Sequence, residues 1–238
     1  MSNNHLSTLA LNEQYGSNRK ATLAKSPWFY VLLKKFEKPR LQAVADLLPV
    51  NANSIIDIGC NEGDFFLQIT RKLKRAVGVD VVKAALQKAK KKKYMFPVQF
   101  FHADYSKEHM PFQKHSFDAV VAISTLQYVQ DIDALLAEIK KVLKPGGTII
   151  VEVPNVAVFW RRIKLLFGRL PKTSLFLNGW DGGVLRYFTV HDGVEYFKKN
   201  GFEVIRITCG GVFWQLRQLW PDLLGANIIF VLRKSEQQ

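Results

Sequence analysis

The chain of 238 residues, with 48% hydrophobic and 23% charged residues, has the composition of one globular domain, which excludes a disordered, collagen-like or coiled-coil protein. Its net charge of +14 favours anionic partners such as nucleic acid, phosphorylated metabolites or lipid headgroups, without choosing among them. The two cysteines, Cys60 and Cys209, are too few for a disulfide scaffold and lack the paired spacing of a zinc site, so no metal is predicted.

The sequence predicts a soluble, cytoplasmic protein. No apolar run approaches the roughly 18 residues that a membrane span needs. Met1–Gln14 is polar and lacks the apolar stretch of a signal peptide. The basic excess is concentrated in Arg71–Lys93 and Arg161–Lys172, which keeps a membrane surface among the candidate partners.

Helical periodicity marks the N-terminal part of the chain. Residues 27–48 carry apolar side chains at helical spacing, interrupted at Pro39, which suits the first turn of a second helix. We therefore expect residues 1–50 to form a helical lead-in to a domain that spans residues 51–238.

Strands and helices then alternate along the chain. The predicted strands are Ser54–Gly59, Arg75–Val79, Val98–Phe101, Phe117–Ile123 and Thr148–Val153, and the predicted helices are Asp64–Leu73, Lys83–Lys93 and Ile132–Leu143. Such alternation favours right-handed crossovers and a parallel sheet covered on both faces. The sequence therefore predicts a doubly wound α/β fold.

The alternation pauses over residues 154–188, an insertion long enough to be a lid or a binding segment. Within it, Phe159–Arg169 mixes apolar and basic residues at helical spacing, which fits a lid, a surface-seeking helix or a helix packed on its own domain. The lid is favoured because ligands of open α/β sheets bind outside the carboxyl ends of the strands. A helix capped by Thr189 follows, and then the predicted strands Phe202–Cys209 and Asn227–Leu232 flank a second insertion, Gly210–Gly225.

The first strand opens into a turn that contains Gly59 and Gly63. Glycine there lets the backbone approach a ligand closely, and the following helix offers free N–H groups. A dinucleotide site needs the spacing G-x-G-x-x-G, which is absent, so a hydride-transfer enzyme is disfavoured.

Two carboxylates follow the next two strands. Asp80 stands where a carboxylate can accept both ribose hydroxyls of a nucleoside, although a helix N-cap is also typical of that place. Asp104 follows the third strand and can accept from an adenine amino group, or it can be a solvated turn residue.

Five blocks, in order and at matching spacing, resemble the class I S-adenosylmethionine-dependent methyltransferases. They are Ile56–Gly63, Val77–Asp80, His102–Asp104, Phe117–Ser124 and Leu143–Ile150. The resemblance covers about residues 40–153 and implies a Rossmann-like sheet of seven strands, mostly parallel, whose last strand runs antiparallel. It implies S-adenosylmethionine as the cofactor, across the carboxyl ends of the first strands, and S-adenosylhomocysteine as the product.

The resemblance also implies which residues bind the cofactor. Gly59 and Gly63 would contact its methionine part, Asp80 its ribose and Asp104 its adenine. The predicted set is Asp57, Gly59, Cys60, Asn61, Gly63, Asp80, Val81, Asp104, Tyr105, Ile123 and Ser124. The family usually has a third glycine where this chain has Asn61, and we expect binding to survive because asparagine tolerates left-handed backbone.

The C-terminal half is similar to a narrower group, the MetW-type methyltransferase-like proteins of methionine biosynthesis, and equally to methyltransferases found beside cell-surface polysaccharide enzymes. The matching segments are Ser124–Gln127, Val153–Asn155, Trp160–Arg162, Gly168–Pro171 and Arg186–Thr189. Asn178–Trp180 and Val184–Arg186 fit neither group.

Methyl transfer from a sulfonium needs mainly in-line positioning and exclusion of water, so a general base is optional. The candidate bases near the strand ends are Tyr128, Asp181, Tyr187 and His191. Gln127 and Tyr128 occupy a place where relatives often carry a histidine. The lysines of Lys88–Lys93 are expected to stabilise a helix C-terminus and a hydrated surface.

The sequence predicts an enzyme that transfers a methyl group to a small-molecule, sugar or lipid-linked acceptor, at oxygen. A second hypothesis, implied by the MetW resemblance, is an accessory partner of a homoserine acyltransferase that keeps the fold without turnover. A third, RNA methylation, rests on the net charge alone.

Overall fold

A computed structural model describes residues 33–105, 107–173 and 181–235. Of the predicted lead-in, residues 1–32 lie outside the described residues, and so does Asn178–Trp180 of the insertion. The other predicted elements fall within the described ranges.

Within the described residues, seven strands form the central sheet. They are β2 (Ser54–Ile58), β3 (Arg75–Asp80), β4 (Val98–His102), β5 (Phe117–Ile123), β6 (Leu143–Pro154), β7 (Phe202–Thr208) and β9 (Asn227–Lys234). Their spatial order is β4-β3-β2-β5-β6-β9-β7. The strands β2 to β6 run parallel to one another, and β9 pairs antiparallel with both β6 and β7. The predicted sheet of seven strands with an antiparallel last strand is confirmed.

A separate two-stranded ribbon joins the lead-in to the second insertion. It pairs β1 (Glu37–Lys38) antiparallel with β8 (Gly211–Val212). The helices, in chain order, are α1 (Arg40–Ala45), α2 (Lys83–Ala89), α3 (Ile132–Val142), α4 (Phe159–Leu166), α5 (Val190–Lys199), α6 (Trp214–Arg217) and α7 (Pro221–Leu224). Thr189 caps α5 as predicted, because its Oγ1 accepts a hydrogen bond of 3.1 Å from the N–H of Asp192.

Two predicted helices are too long. Asp64–Leu73 is a 3-10 turn over Asp64–Gln68, because the chain turns extended at Ile69 and buries that side chain near Phe65 and Phe66. α2 ends at Ala89 rather than at Lys93. Lys88 and Lys92 would lie one turn apart and repel each other in a longer helix, and Lys92 instead pairs with the carboxylates of Glu62 and Asp64.

Apolar side chains cover both faces of the sheet, as a doubly wound fold requires. Val120 and Ile149 face a cluster with side chains of α3 and α5. Ile55, Val121 and Ile150 face the other cluster, which includes side chains of α1. Full burial of each large side chain contributes about 1.5–3 kcal/mol. This core fixes the strands so that the parallel ones end along one edge, and their following loops form the site.

Candidate functional site

The turn after β2 is held against β3. The backbone N–H groups of Gly59 and Cys60 both donate to the carbonyl oxygen of Val79, at 2.8 and 2.9 Å. Gly59 has φ +76° and Gly63 has φ +72°, which is left-handed backbone that favours glycine. A Cβ atom at Gly59 would lie 2.2 Å from Oγ1 of Thr125, so the position also lacks room for a side chain.

Asp80 lies at the end of β3 and is buried. Its Oδ2 accepts from the backbone N–H of Asn61 at 2.7 Å, and its Oδ1 accepts from that of Val82 at 2.8 Å. Burial raises the pKa of Asp80, and these hydrogen bonds partly offset that effect. The alternative interpretation of Asp80 as a helix N-cap is wrong, because Val82 occupies the N-cap of α2.

Asp57 lies on the neighbouring strand, paired in register with Gly78. It is buried, and its Oδ1 has no hydrogen-bond partner in the part of the chain that the structure describes. Burial and the negative charge of Asp80 raise the pKa of Asp57 well above its usual range. A buried acceptor without a donor costs about 1–3 kcal/mol, and carboxylates with perturbed pKa values concentrate at functional sites.

The loop after β4 holds Asp104 at partial exposure. Its carboxylate forms an ion pair of 3.0 Å with Lys107, and its carbonyl oxygen accepts from the N–H groups of Lys107 and Glu108. Tyr105, next in the chain, is buried and its ring packs against Phe112. The structure therefore gives Tyr105 a core side chain.

Two other residues of the predicted cofactor set, Cys60 and Val81, are constrained by their surroundings. Cys60 is buried, and burial together with the charge of Asp57 raises the pKa of its thiol well above the usual value. The carbonyl oxygen of Val81 lies 3.0 Å from Nε2 of His102. Cys60 therefore does not offer a reactive thiolate to a ligand.

The end of β5 carries an ionic cluster around a buried carboxylate. Ser124, with φ +49°, donates from its Oγ to Oε2 of Glu152 at 2.8 Å and from its backbone N–H to the Glu152 carbonyl. The partly exposed Arg40 of α1 donates to Oγ of Ser124 at 2.5 Å and lies 3.7 Å from Oε2 of Glu152. Glu152 is fully buried, and its Oε1 has no partner among the described residues.

Sequence reasoning missed both Arg40 and Glu152. Burial raises the pKa of Glu152, and the Arg40 charge and the Ser124 hydrogen bonds act against that increase. The sequence held one signal for Glu152, which is the single acidic residue in the apolar run Ile149–Val153. Because a strand buried on both faces excludes an unpaired charge, such a residue indicates a buried partner. The sequence around its partner Arg40 has no comparable feature that would predict this contact.

The segment after Ser124 connects the strand end to the insertion. Oγ1 of Thr125 donates to the carbonyl oxygen of Ile58 at 2.9 Å, which ties β5 to β2 beside Gly59. Gln127 is buried, its carbonyl oxygen accepts from the N–H of Leu185 at 2.9 Å, and its Oε1 has no partner within residues 33–105, 107–173 and 181–235. Considering those described residues alone, this edge holds three buried acceptor atoms without donors, on Asp57, Gln127 and Glu152.

The structure brings two of the four candidate bases, Asp181 and Tyr187, together. Asp181 is buried and accepts from the N–H and Oγ1 of Thr173 at 2.8–2.9 Å. Tyr187 forms a hydrogen bond with Asp181, and burial together with this carboxylate raises the pKa of Tyr187. Tyr128 lies in the 3-10 turn after β5. His191 is exposed on α5, where it faces Asp192 and Glu195 of its own helix. Their catalytic roles stay predictions.

In the part of the chain that the structure describes, no cluster of His, Cys, Asp or Glu has the arrangement of a metal site. His109 instead pairs with Glu138 at 2.8 Å. None of the described helices is long and apolar enough to cross a membrane.

The insertion forms α4, and all eight residues of this helix are at least partly exposed. This finding opposes the interpretation of a helix packed into its own domain. Arg161 nevertheless fixes α4 to the body, since its guanidinium donates to the carbonyl oxygens of Asn155, Lys172 and Ala226.

Comparison with known proteins gives one matching family model, described as a methyltransferase domain, over residues 56–151. An uncharacterised methyltransferase of Mycobacterium tuberculosis is 27% identical over 105 residues, which are 44% of this chain and 52% of that protein. The ubiquinone/menaquinone biosynthesis C-methyltransferase of Bartonella tribocorum is 31% identical over 159 residues, 62% of this chain and 60% of that protein. The chain thus spans about half the length of the first curated relatives that it matches.

A solved structure shares the fold over nearly the whole chain. The S-adenosylmethionine-dependent methyltransferase of Thermotoga maritima superposes with a TM-score of 0.59 over 97% of this chain and 99% of that one, at 21% identity. The matched region of the family model begins in β2 and ends within β6, and it contains the Gly59 turn, Asp80 and Ser124.

Proposed function

We propose that the chain transfers a methyl group from S-adenosylmethionine to a small amphiphilic acceptor, because residues 56–151 match the model of a methyltransferase domain. The class I methyltransferases that the chain resembles use S-adenosylmethionine, which supplies an electrophilic methyl group on a sulfonium. The observation that carries the proposal is the set of buried carboxylates and the glycine turn at one edge of the sheet.

The residues present fit this cofactor. An ionised carboxylate has about four acceptor positions. Asp80 accepts the N–H groups of Asn61 and Val82 and interacts with that of Val81, so acceptor capacity remains for a ribose hydroxyl. The unpartnered Oδ1 of Asp57 lies one strand away and can accept from a charged donor. The left-handed backbone at Gly59 and Gly63 shapes the turn that the methionine part of the cofactor would contact.

The chain's own residues would act by positioning and by excluding water. Asp80 and the glycine turn hold the nucleoside and methionine parts of the cofactor, and Ser124 lines the cofactor at the end of β5. Arg40 and Glu152 fix Ser124 in its left-handed conformation through direct hydrogen bonds and charge. For a hydroxyl acceptor, the linked pair Asp181 and Tyr187 is the candidate that accepts the proton.

We infer the acceptor class from the edge of the sheet on which the site lies. The insertion with its exposed apolar and basic side chains borders this edge, which favours a small lipid-linked or sugar-linked molecule. The relative from Bartonella tribocorum is named for C-methylation in quinone biosynthesis. We propose oxygen as the methylated atom, and fragmentation of the labelled product by mass spectrometry distinguishes an O-methyl from a C-methyl group.

The cofactor is tested by thermal unfolding with and without S-adenosylmethionine or S-adenosylhomocysteine. Ligand at about 100 times its Kd adds about 2.7 kcal/mol, or on the order of 5–10 °C for a domain of this size. The shift should disappear in Asp80→Ala and persist in Asp192→Ala, a matched change of an exposed aspartate on α5. An equal shift in Asp80→Ala would move the cofactor site elsewhere, and no shift in the unaltered protein would overturn the proposal.

Turnover is tested separately, with methyl-labelled cofactor and a panel of lipid, sugar and RNA acceptors. Label transferred to a small acceptor supports the proposal. Cofactor binding without transfer, together with stoichiometric recovery of an acyltransferase, would favour the accessory role instead. Transfer to RNA whose binding falls steeply with salt would favour RNA methylation.

A further inference from the structure

We propose that two exposed segments at the ligand edge of the sheet form an interfacial face that seats the protein on an anionic phospholipid bilayer. The interfacial face comprises Phe159–Leu170, which includes α4, and Leu216–Trp220, which joins α6 to α7. A second consequence, that the methyl acceptor is a lipid held in this bilayer, rests on the proposed function. The docking of the protein on the bilayer is independent of methyl transfer.

The first observation is contiguous apolar exposure. Every residue from Arg162 to Leu170 is exposed. Among the largest values, Leu166 is 81% exposed, Phe167 75%, Leu219 82% and Trp220 60%. Single exposed apolar residues are normal in soluble proteins, whereas a contiguous set marks an interaction surface.

The second observation is the angular order of side chains on α4. At about 100° per residue, the apolar residues Leu166, Phe159, Ile163, Phe167 and Trp160 fall within an arc of about 120°, and Leu165 alone of the exposed apolar residues on α4 lies outside it. Arg162 flanks this arc on one side and Lys164 on the other. An apolar stripe between basic rows is typical of helices that lie in the plane of a membrane interface.

The third observation is charge. Residues 153–180 contain five basic side chains, Arg161, Arg162, Lys164, Arg169 and Lys172, and no acidic one. In the second segment, no acidic residue occurs between Glu203 and Asp222. This distribution complements the anionic headgroups of phospholipids, and the apolar arc matches their acyl chains. Trp160 and Trp220 are also the residue type that concentrates at membrane interfaces.

The two segments are joined into one surface. Arg162 forms an ion pair of 2.5 Å with Asp222, the second residue of α7. The side-chain amide of buried Asn155 donates to the carbonyl oxygens of Asp222 and Gly225, at 2.7 and 2.9 Å. The orientation of both segments is therefore fixed before any partner binds.

This surface borders the candidate site. β6 ends at Pro154, β9 begins at Asn227, and these two residues are paired across the sheet. Because β5 and β6 are parallel, this edge is also the one at which Ser124 follows β5. A bilayer on the interfacial face would thus present an amphiphilic acceptor to the site from the membrane rather than from bulk water.

A movable lid is the competing interpretation of α4. Arg161 bonds to three backbone carbonyls on separate segments, at Asn155, Lys172 and Ala226, which holds the helix to the body of the domain. A lid would also be expected to turn its apolar arc toward the site. The exposed arc fits a fixed surface better.

The test is flotation of the purified protein with vesicles of phosphatidylcholine alone or with 30% phosphatidylglycerol, without cofactor. We expect at least tenfold tighter binding to the anionic vesicles, weakened by salt. The double substitution Leu166→Ser and Phe167→Ser should lower this binding at least tenfold. Lys164→Gln with Arg169→Gln should remove the preference for anionic lipid.

The matched control is Val50→Ser, because Val50 is 91% exposed and lies before β2, at the opposite edge of the sheet. This variant should bind vesicles like the unaltered protein. Unchanged thermal shifts with S-adenosylmethionine would show that the face variants are folded, and Asp80→Ala should still bind vesicles. The last result separates membrane docking from the proposed function.

Three outcomes would overturn the proposal. They are no binding of the unaltered protein to anionic vesicles, equal binding by the Leu166 and Phe167 double variant, and equal loss in Val50→Ser. A dimer in analytical ultracentrifugation that the double serine substitution dissociates, without vesicle binding, would assign the face to a second copy of the chain.

Discussion

The backbone N–H of Asn61 donates a hydrogen bond of 2.7 Å to Oδ2 of Asp80. This bond joins the position where the methyltransferases that the chain resembles usually have glycine to the carboxylate predicted to bind ribose. Asn61 has φ +49°, a conformation that asparagine adopts more readily than other residues with a Cβ atom. Asparagine at this position therefore preserves the turn and, with it, the backbone bond to Asp80.

The first prediction compares two substitutions of Asn61. Asn61→Gly should keep the turn and bind S-adenosylmethionine within about threefold of the unaltered protein. Asn61→Ala places a poorly suited residue at φ +49° and should cost about 1 kcal/mol of unfolding free energy. Isothermal titration should show several-fold weaker cofactor binding for the alanine variant. Equal affinities of the two variants would argue against a role for this backbone conformation.

The second prediction separates backbone strain from crowding in the turn. Gly59→Ala and Gly146→Ala both place alanine at positive φ, at +76° and +70°. A Cβ atom at Gly146 meets nothing within 4 Å, whereas at Gly59 it lies 2.2 Å from Oγ1 of Thr125. We expect Gly146→Ala to cost about 1 kcal/mol by strain alone and Gly59→Ala to cost at least about 2 kcal/mol more.

Denaturant unfolding of both alanine variants measures this difference. Cofactor binding should be lost only with Gly59→Ala, because Gly146 lies within β6, near its amino end. Similar destabilisation by the two substitutions would show that Thr125 can move away from an added Cβ atom at Gly59 with little cost in free energy. That result would weaken the case for a precisely shaped turn.

The third prediction concerns Arg40 and Glu152. Arg40→Ala removes the cation nearest the fully buried carboxylate and should destabilise the protein by about 1–2 kcal/mol, a value reduced because Arg40 is partly exposed. Glu152→Gln keeps the shape of the side chain and removes its charge. In that background, Arg40→Ala should cost less by at least about 0.5 kcal/mol. Additive effects in the double-mutant cycle would show that the two groups are independent.

The strands were well predicted because their signal is local. β5 was predicted as Phe117–Ile123 and spans those residues, since six of its seven side chains are buried and the run is almost wholly apolar. The helix predicted over Asp64–Leu73 was wrong because tertiary burial of Ile69 outweighs helical periodicity there. The local sequence pattern predicts that a strand or helix is present more reliably than it predicts the residue at which that element ends.

The residues of the candidate site also form two groups, those that the local sequence pattern predicts and those that it does not. The Gly59 turn and Asp80 follow strand ends, so the alternation of elements located them. Arg40 and Glu152 are far apart in the sequence, and their contact depends on where α1 packs on β5 and β6. No pattern within either segment encodes that distance, so only the folded structure brings the pair together.

The fourth prediction is a pH dependence from Asp118. Burial alone would raise its pKa, but the hydrogen bonds from Lys144, Ser54 and the Asn53 backbone outweigh burial and lower the pKa. A lowered pKa in the folded state gives stability that is present above the unfolded value of about 3.9 and is lost as the pH falls. Asp118→Asn should therefore cost about 2 kcal/mol at pH 7. Thermal melts should show this cost shrinking below about pH 4, and a constant cost would contradict the linkage.

The fifth prediction concerns Asp57, whose contribution to stability should change with pH in the opposite direction to that of Asp118. Burial and the nearby charge of Asp80 raise its pKa, so the folded protein holds this proton more tightly than the unfolded chain does. Stability contributed by the protonated form is present below the unfolded pKa of about 3.9 and is lost as the pH rises through the folded pKa. Asp57→Asn removes this loss and should raise the Tm at pH 8 relative to the unaltered protein.

The gain from Asp57→Asn should shrink as the pH approaches 4, where the unaltered carboxyl becomes neutral in both states. The same substitution should weaken binding of S-adenosylmethionine, because an amide replaces the buried acceptor whose Oδ1 is unpartnered. Paired melts of Asp57→Asn and Asp118→Asn across this pH range should therefore diverge in sign at pH 8. A lower Tm for Asp57→Asn at pH 8 would show that the Asp57 charge stabilises the fold, which would remove the argument that this carboxylate is retained for the ligand.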